Sequence, residues 1–194
     1  MTDVFIRVFS STEMRLGFAI ATVARWRLQK DVHVKVLQWD NGLPYDFGRN
    51  TLSIPNDTFA ALSLQAAESW SASDPYIICN DDNLPYGQDF VSKGRAIMQR
   101  NPEYGCVSGV VVNGHEPYKT EGPEVTEIHA VGGLVFLRKG LVTEFPRLED
   151  AHWDCERHRQ IVAQGSKSGY ARDLPYLHMG AHFSVANPAF FTAA

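Results

Sequence analysis

The sequence predicts an α/β fold in which a mostly parallel central sheet is flanked by helices. Strand-type apolar segments alternate with segments whose apolar residues recur at helical spacing through the first half of the chain. The segment "PYIIC" is an almost continuous apolar run, which is typical of strands buried on both faces of a parallel sheet. The length of 194 residues suits one compact domain with a substantial core. Ligands of such a fold are expected at the carboxyl ends of the strands.

The elements of the first half begin with a β-α-β unit. "DVFIRVFSS" is a strand that opens into a loop, and "TEMRLGFAIATVARWRLQK" is a helix for which Thr12 supplies the cap. "VHVKVLQWD" returns to strand and ends in an Asp-Asn-Gly turn. A further short strand, a helix and the apolar strand follow in "TLSIP", "NDTFAALSLQAAESWSA" and "PYIICNDD".

The second half continues with helices and strands around a polar loop. The predicted helices are "GQDFVSKGRAIMQRNP" and "HWDCERHRQIVAQG", and "GCVSGVVV" is a predicted strand. "IHAVGGLVFLRKGLV" is predicted to be a strand that runs into a short turn or helix, and "YARDLPYLHMG" a final strand or extended segment. The segment "NGHEPYKTEGPEVTE" is rich in Gly and Pro, which indicates a surface loop.

Composition and charge exclude several classes of protein. The formal net charge of −4 gives no basic surface for gripping a nucleic-acid backbone. No window approaches the ~20 apolar residues of a membrane span, and "MTDVFIRVFSS" lacks the features of a signal peptide, so we expect a cytoplasmic protein. The three cysteines, Cys79, Cys106 and Cys155, are odd in number and widely spaced, which indicates free thiols, with Cys155 in the core.

An acidic cluster follows the apolar strand at residues 80 to 83. Strand alternation would place Asn80 and Asp82 on one face and Asp81 on the other. Carboxylates at a strand end suit Mg²⁺ or Mn²⁺, which proteins hold with one or two carboxylates plus waters and substrate phosphates. Asp40 ends a second strand at the same predicted edge. The cluster equally suits a β-turn without metal, so both interpretations stay open on these residues alone.

A family resemblance favours the metal site. "YIICNDDNLPYGQDFVSKGRAIMQRNPEYGCVSG" resembles the strand, Asp-x-Asp signature and following helix of GT-A-fold glycosyltransferases, especially those of the family 2 type. The match places Asn80 at the first signature position, Asp81 at the second and Asp82 at the third, which is the metal-binding position in that family.

The resemblance extends over most of the chain. "VHVKVLQWDNG" and "NDTFAALSLQAAESW" are similar to the family's second strand and the next helix, and "VGGLVFLRKGL" is similar to its Gly-containing strand, which here carries Gly132, Gly133, Arg138 and Lys139. The nucleotide-sugar-binding residues that this resemblance implies are Asp40, Asn56, Asn80, Asp81, Gly133 and Arg138.

The resemblance also implies a catalytic base and a second metal ligand. "HWDCERHRQIVAQG" offers Asp154 as the base at the start of a helix that ends in Gly165, but Trp153 stands where the family usually has Glu. Asp150 and Glu156 therefore remain alternative bases. "DLPYLHMGAHFS" resembles the segment whose His completes the metal site, with His178 as the matching residue and His182 as its rival.

The implied protein is a single GT-A, Rossmann-like domain over 1–194, with a nucleotide-sugar-binding half at 1–104 and an acceptor-side half at 105–194. The implied activity is a metal-dependent, inverting transfer from a nucleotide-diphospho-sugar, with a UDP-sugar favoured and Mn²⁺ or Mg²⁺ as the cofactor. The acceptor hydroxyl belongs to a glycan, a small molecule, a protein or a modified DNA base, and the loop at 114–127 is expected to border it.

Three other classes compete with this hypothesis. A nucleotidyltransferase would need a Gly-rich, basic phosphate loop after the first strand, which "VFSSTEMRLG" does not supply. A structural zinc site at His152, Cys155 and His158 is disfavoured because side chains repeated every three residues turn progressively around the helix and do not stay on one face. A non-catalytic nucleotide-sugar-binding module is kept open by the departures from the family pattern at Asn80 and Trp153.

Overall fold

A computed structural model of the chain describes residues 1–55, 59–112, 122–128, 132–146 and 153–179. These ranges contain four helices and nine strands. The helices are α1 (Glu13–Arg27), α2 (Phe59–Trp70), α3 (Phe90–Arg100) and α4 (Trp153–Ala163). The strands are β1 (Thr2–Val8), β2 (Val32–Trp39), β3 (Thr51–Ile54), β4 (Tyr76–Asn80), β5 (Asn83–Pro85), β6 (Tyr104–Val111), β7 (Val125–Glu127), β8 (Leu134–Leu137) and β9 (Lys167–His178).

The strands form one mixed sheet in the order β3-β2-β1-β4-β8-β6-β9-β5, and β7 also pairs with β9. Strands β3, β2, β1 and β4 are parallel to one another. β8 runs antiparallel to its neighbours β4 and β6, whereas β6 and β9 are parallel and β5 and β7 are antiparallel to β9. The α/β fold class predicted from the sequence is confirmed.

Helices pack on both faces of this sheet because alternate residues of its central strands point to opposite sides. Val4 and Ile6 of β1 belong to a core that includes Trp26 of α1. Phe5, between them in sequence, belongs to the core on the other face, together with residues of α2 and α4 such as Leu64. β1 is therefore covered on both sides, and its ligand-accessible part is the end at which it stops.

Helix α1 begins where the sequence predicted. Thr12 has extended backbone angles, and its side-chain oxygen accepts a hydrogen bond of 3.2 Å from the backbone N–H of Arg15. This contact satisfies one of the free donors at the helix start. It also fixes the position of Arg15 in the first turn of the helix, beside the end of β1.

Two short strands lie in segments that the sequence predicted to be turn or loop. β5 pairs with β9, with Asn83 opposite His178, and β7 pairs with residues 169–171 of β9. Strands of three residues have no periodicity to detect, because a distant partner, here β9, determines them. The long strand β9 is therefore the element that draws both segments into the sheet.

The cysteines are free thiols, as predicted. Cys79 and Cys106 are buried, and burial raises the pKa of the Cys106 thiol to about 11. The expectation that Cys155 lies in the core was wrong, because α4 buries the face that carries Trp153, Arg157, Gln160 and Ile161 and leaves Cys155 exposed. In the described ranges, every helix is too short or too polar to cross a membrane.

Candidate functional site

A cleft of about 500 Å³ opens beyond the carboxyl ends of β1, β2 and β4. This is the edge at which ligands of parallel α/β sheets bind. The residues that line it come from the strand ends, the loop after β1, α1, the segment before β8 and α4. They are Arg7, Phe9, Ser11, Arg15, Trp39, Asn80, Gly133 and Asp154.

Asp82 is almost fully buried next to the cleft-lining Arg15, and its carboxylate contacts Arg15, His178 and Asn83. Its Oδ2 lies 2.9 Å from Arg15 Nη1 and 3.2 Å from His178 Nε2. Its Oδ1 accepts a hydrogen bond of 2.6 Å from Asn83 Nδ2. Burial raises the pKa of Asp82, but the contacts with His178 and Arg15 outweigh burial and hold the pKa below its usual value. Asp82 is therefore ionised at neutral pH.

Asp81 lies behind the cleft wall and is fully buried. Its Oδ2 accepts a hydrogen bond of 2.8 Å from the backbone N–H of Phe9, and its carbonyl accepts one of 2.8 Å from Thr22 Oγ1. Burial raises the pKa of Asp81 to about 6, although Arg15 and the Phe9 N–H oppose that rise. The residue joins the loop after β1 and helix α1 to the end of β4.

Both carboxylates face the same cation, since Arg15 Nη1 also lies 3.5 Å from Asp81 Oδ1. Strand alternation predicted that Asp81 and Asp82 would point in opposite directions. The structure differs because these two residues form the turn between β4 and β5 and are outside both strands. Arg15 therefore partly balances two adjacent buried negative charges.

The geometry of Asp82 and His178 fits a divalent cation. Bonds of about 2.0–2.2 Å at right angles separate two adjacent ligand atoms by about 3 Å, which is close to the 3.2 Å between Asp82 Oδ2 and His178 Nε2. Among the described residues, no three His, Cys, Asp or Glu side chains come together as a ready metal cage. Water and substrate phosphates would complete the coordination, as is usual for Mg²⁺. The rival ligand His182 is outside the described residues.

Asn83 orients Asp82 from the buried side. Its Nδ2 donates to Asp82 Oδ1, while its own Oδ1 is buried and has no hydrogen-bond partner among the described residues. Gly133 covers that oxygen: a Cβ added to Gly133 would lie 2.7 Å from Asn83 Oδ1 and 2.9 Å from the Tyr176 hydroxyl. Gly133 also has a φ of +73°, which side-chain-bearing residues rarely adopt. Any larger residue there would disturb the support of Asp82.

Asp154 is the predicted base residue that lines the cleft. It lies in the first turn of α4, its side chain is 38% exposed, and Arg157 Nη2 donates to its Oδ1 at 2.8 Å. A Cβ added to Gly132 would clash with Asp154 Oδ2. The absence of a side chain at Gly132 therefore makes room for Asp154 Oδ2.

Glu156 is engaged elsewhere on α4. Its two oxygens accept hydrogen bonds of 2.8 Å and 2.7 Å from Arg159, and Gln160 donates to it at 2.8 Å. The Arg159 hydrogen bonds lower the pKa of Glu156 more than burial raises it. Glu156 is not among the residues that line the cleft. The other alternative base, Asp150, lies outside the described residues.

Asn80 ends β4 at the cleft and is held by an arginine. Arg7 Nε and Nη2 donate to Asn80 Oδ1 at 3.1 Å and 2.6 Å. The Asn80 backbone N–H donates to the carbonyl of Gly133 at 3.2 Å. Both Arg7 and Arg15 line the cleft, which gives its wall two guanidinium groups beside the carboxylate turn.

Other predicted nucleotide-sugar residues are placed differently. Asp40 lines a second recess of about 490 Å³ with Tyr45, next in sequence to Trp39 of the main cleft. Arg138 lies at the opposite end of β8 from Gly133, where it donates to the carbonyls of Tyr104 and Met98 at 3.1 Å and 2.7 Å. Those contacts join β6 and α3 and are remote from the cleft. Asn56 lies outside the described residues.

Sequence reasoning did not single out Arg7, Arg15, Trp39 or Asn83. Two of these carried a detectable signal. Arg7 interrupts an apolar strand, and Arg15 places a cation in the first turn of a helix, where the helix dipole disfavours it. Each departure from local preference indicates a nearby acceptor, and the structure places Asn80 Oδ1 beside Arg7 and the carboxylates of Asp81 and Asp82 beside Arg15.

Comparisons with known proteins identify the fold. No protein-family model matches the chain, and no curated protein matches it in sequence. Among solved structures, it is similar to S. aureus TarS 1–349, at 12% identity and a TM-score of 0.63, over 91% of this chain and 59% of that one. It is similar to the mannosyltransferase PcManGT from Pyrobaculum calidifontis, at 14% identity and a TM-score of 0.63, over 92% of this chain and 56% of that one.

A third similar structure is UTP-bound UGPase from Acinetobacter baumannii, at 9% identity and a TM-score of 0.61, over 100% of this chain and 96% of that one. The chain spans less than two thirds of the length of TarS 1–349 and PcManGT. At these identities the likeness concerns the fold. The resemblance drawn from the sequence is confirmed at that level: the chain has a GT-A-like fold.

Proposed function

We propose that this protein is a metal-dependent glycosyltransferase that moves a sugar from a nucleotide-diphospho-sugar to an acceptor hydroxyl with inversion of configuration. The observation that carries the proposal is the convergence of Asp82 and His178, 3.2 Å apart, beside a cleft that Asp154 also lines. A fitting pair of cation ligands thus lies next to the cleft-lining Arg15, and the cleft itself contains a carboxylate whose Oδ2 faces Gly132.

The donor is expected to place its diphosphate near Asp82 and its nucleoside toward the ends of β4 and β2. Asn80 is proposed to contact the ribose, and Asp40, in the recess next to Trp39, is proposed to contact the base. Solved structures of TarS contain UDP and UDP-GlcNAc, and that of PcManGT contains GDP-Man and Mn²⁺. A UDP-sugar is the first donor to test, followed by a GDP-sugar.

Asp82 Oδ2 and His178 Nε2 are the atoms that would hold Mn²⁺ or Mg²⁺. The cation would stabilise the negative charge that develops on the departing nucleoside diphosphate. Asn83 keeps the Asp82 carboxylate in place by binding its Oδ1, so that Oδ2 faces His178. The protein thus contributes a fixed carboxylate edge and a histidine at the end of β9.

Asp154 is proposed as the general base. Its Oδ1 is bound by Arg157, which fixes the side chain and leaves Oδ2 toward Gly132. The carboxylate would accept the proton of the acceptor hydroxyl as that oxygen attacks the anomeric carbon opposite the leaving group, and the configuration therefore inverts. Glu156 suits this role less well, since Arg159 and Gln160 occupy its oxygens.

A second candidate function is nucleotidyl transfer. The observation in its favour is the likeness to UGPase over nearly the whole length of both chains. Such an enzyme would join a nucleoside triphosphate to a sugar phosphate and release pyrophosphate. The basic Gly-rich loop expected of it is missing after β1, where the structure has the Thr12-capped start of α1 instead.

A thermal-shift screen separates the two candidates. UDP-, GDP-, TDP- and CDP-sugars and the nucleoside triphosphates are each tested with Mn²⁺ and with EDTA. A ligand at about one hundred times its Kd stabilises the folded state by about 2.7 kcal/mol, which a melting curve detects. We expect one sugar nucleotide to stabilise the protein with Mn²⁺ and to be hydrolysed slowly to the nucleoside diphosphate.

The screen has three contrary outcomes. Stabilisation by a triphosphate, with pyrophosphate release when a sugar 1-phosphate is added, would select the nucleotidyltransferase. Stabilisation by no nucleotide of either kind would reject both activities. The third outcome is binding of a sugar nucleotide with neither hydrolysis nor transfer. If no acceptor in a panel of glycans, small alcohols, peptides and hydroxymethylated DNA received the sugar, the protein would be a binding module.

A further inference from the structure

We infer that Arg15 is a donor-binding residue: one edge of its guanidinium is fixed by the acidic turn, and the other edge grips the donor diphosphate in the cleft. The inference rests on the proposed function, since it adds a protein contact to the donor proposed there. It concerns a residue of α1, which lies outside every motif that pointed to the site in the sequence.

The fixed edge of Arg15 is its Nη1 group. That nitrogen lies 2.9 Å from Asp82 Oδ2 and 3.5 Å from Asp81 Oδ1. Both aspartates are almost completely buried, so the guanidinium is held by groups that do not move with solvent. An arginine fixed in this manner loses little further side-chain entropy when it binds a ligand.

The other edge of Arg15 is available. A guanidinium has five N–H donors, and those on Nε and Nη2 make no hydrogen bond or ion pair with any described residue. The side chain is 35% exposed and lines the cleft together with Arg7 and Asn80. The Nε–Nη2 edge therefore belongs to a positioned cation at the wall of the cleft.

The free edge matches a phosphate in shape and charge. The planar fork of Nε–H and Nη2–H binds two oxygens of one phosphate at once, which a lysine ammonium cannot do. The position also favours an anion, because Arg15 lies in the first turn of the 15-residue helix α1, where the helix dipole is positive. Asp81 and Asp82 hold the guanidinium in the orientation that this contact requires.

Arg15 Nη1 and His178 Nε2 both contact Asp82 Oδ2, so Arg15 and a cation held by Asp82 and His178 would act on the same diphosphate from neighbouring positions. Asp82 and His178 would hold the cation against one part of the donor, and Arg15 would bind another part through hydrogen bonds. The prediction that follows is specific: Arg15 contributes to binding of the phosphates and not of the nucleoside, with or without the metal.

Isothermal titration calorimetry tests this prediction. The ligands are the nucleoside diphosphate of the donor that the screen selects and the matching nucleoside, each titrated with Mn²⁺ and in EDTA. The proteins are the wild type, Arg15→Gln, Arg15→Lys and the control Arg25→Gln, which removes the same charge from the last turn of the same helix. We expect Arg15→Gln to weaken diphosphate binding about tenfold or more and to leave nucleoside binding unchanged.

Arg15→Lys distinguishes a loss of binding from a loss of folding. It keeps a cation beside Asp81 and Asp82 but removes the fork, so we expect wild-type thermal stability and a diphosphate affinity reduced several-fold. Arg25→Gln should bind both ligands like the wild type. Equal losses for diphosphate and nucleoside would show a structural role and overturn the inference, as would wild-type diphosphate affinity in both Arg15 variants. If the wild type bound no nucleotide at all, the proposed function itself would fall.

Discussion

His178 Nε2 lies 3.2 Å from Asp82 Oδ2, and backbone pairing produces this contact. Asn83 is opposite His178 in the antiparallel ladder of β5 and β9, and the Met179 N–H donates to the Asp82 carbonyl at 2.8 Å. The ladder therefore fixes both the imidazole and the carboxylate before any ligand arrives. Four experiments besides the Arg15 titration examine what this arrangement and its surroundings do.

Asp82→Ala should abolish metal-dependent transfer. The substitution removes the carboxylate that lies 3.2 Å from His178, so the expected result is loss of the Mn²⁺-induced rise in melting temperature and of sugar transfer. The measurement is thermal stability with and without Mn²⁺, followed by product formation. Asp89→Asn is the control, because Asp89 is exposed and pairs with Lys93 on α3. Substantial transfer by Asp82→Ala would contradict the metal assignment.

Asp154→Asn should keep donor binding and lose turnover. The amide preserves the shape of the side chain but cannot accept a proton as a base, so we expect kcat to fall about 100-fold or more while donor affinity stays within twofold. Glu156→Gln is the matched control, two residues further along the same helix and outside the residues that line the cleft. If Glu156→Gln loses turnover and Asp154→Asn does not, the base lies two residues further along the chain.

Gly132→Ala and Gly133→Ala should fail in different ways. At Gly132 the new methyl group would displace the Asp154 carboxylate, which is partly exposed and able to move, so we expect lower kcat with a nearly unchanged melting temperature. At Gly133 the methyl group would meet the buried Asn83 and Tyr176 at a φ of +73°, so we expect destabilisation by about 1–3 kcal/mol. Urea unfolding and steady-state kinetics of both variants distinguish these effects; equal behaviour would contradict the geometry.

Asp3 should make stability depend on pH. Its Oδ1 lies 3.1 Å from Lys35 Nζ and 3.2 Å from His33 Nδ1, and its Oδ2 accepts from the Ala72 N–H at 2.6 Å. Burial raises the pKa of Asp3, but the Ala72 and Lys35 contacts lower it further than burial raises it. The unfolded chain therefore binds this proton more readily than the folded protein. The stabilisation is present above the unfolded pKa of about 3.9 and is lost as pH falls through the lower folded value.

The corresponding variant is Asp3→Asn. It leaves the buried ammonium of Lys35 without its carboxylate, so we expect the free energy of unfolding to fall by about 3 kcal/mol at pH 7 and by less below pH 3. Urea titrations across this pH range measure the difference. Asp31→Asn is the control, because Asp31 is exposed and Asn tolerates its φ of 57°. A constant difference between wild type and Asp3→Asn at all pH values would contradict the assigned ion pair.

The sequence was sufficient for the fold class and for the elements that carry periodic patterns. Helix α1 with its Thr12 cap and the apolar strand β4 have local causes, and so does the end of helix α4 before Gly165, which has a φ of +76°. The placement of β8 between β4 and β6 has none, because antiparallel insertion into the middle of the sheet depends on contacts between distant segments.

The candidate site was predictable only where a motif marked it. The pairing of Asp82 with His178 agrees with the resemblance, but the roles of these residues stay predictions until they are tested. Arg138 shows the opposite case: a basic residue after an apolar run looks like a ligand contact, yet its guanidinium is occupied by the Tyr104 and Met98 carbonyls. Whether a charged side chain serves a cleft or a carbonyl depends on packing that one-dimensional patterns do not contain.

Strand β9 has a consequence for the order in which the protein acquires its activity. The parallel strands that carry Arg7, Trp39 and Asn80 are synthesised first, whereas His178 stands at the far end of β9. A nascent chain that has not yet delivered β9 lacks the partner of β5, and the Asp82 turn has no imidazole beside it. Since contacts between distant segments form late in folding, the proposed cation site would be complete only after β9 joins the sheet, and metal binding at that site would report this step.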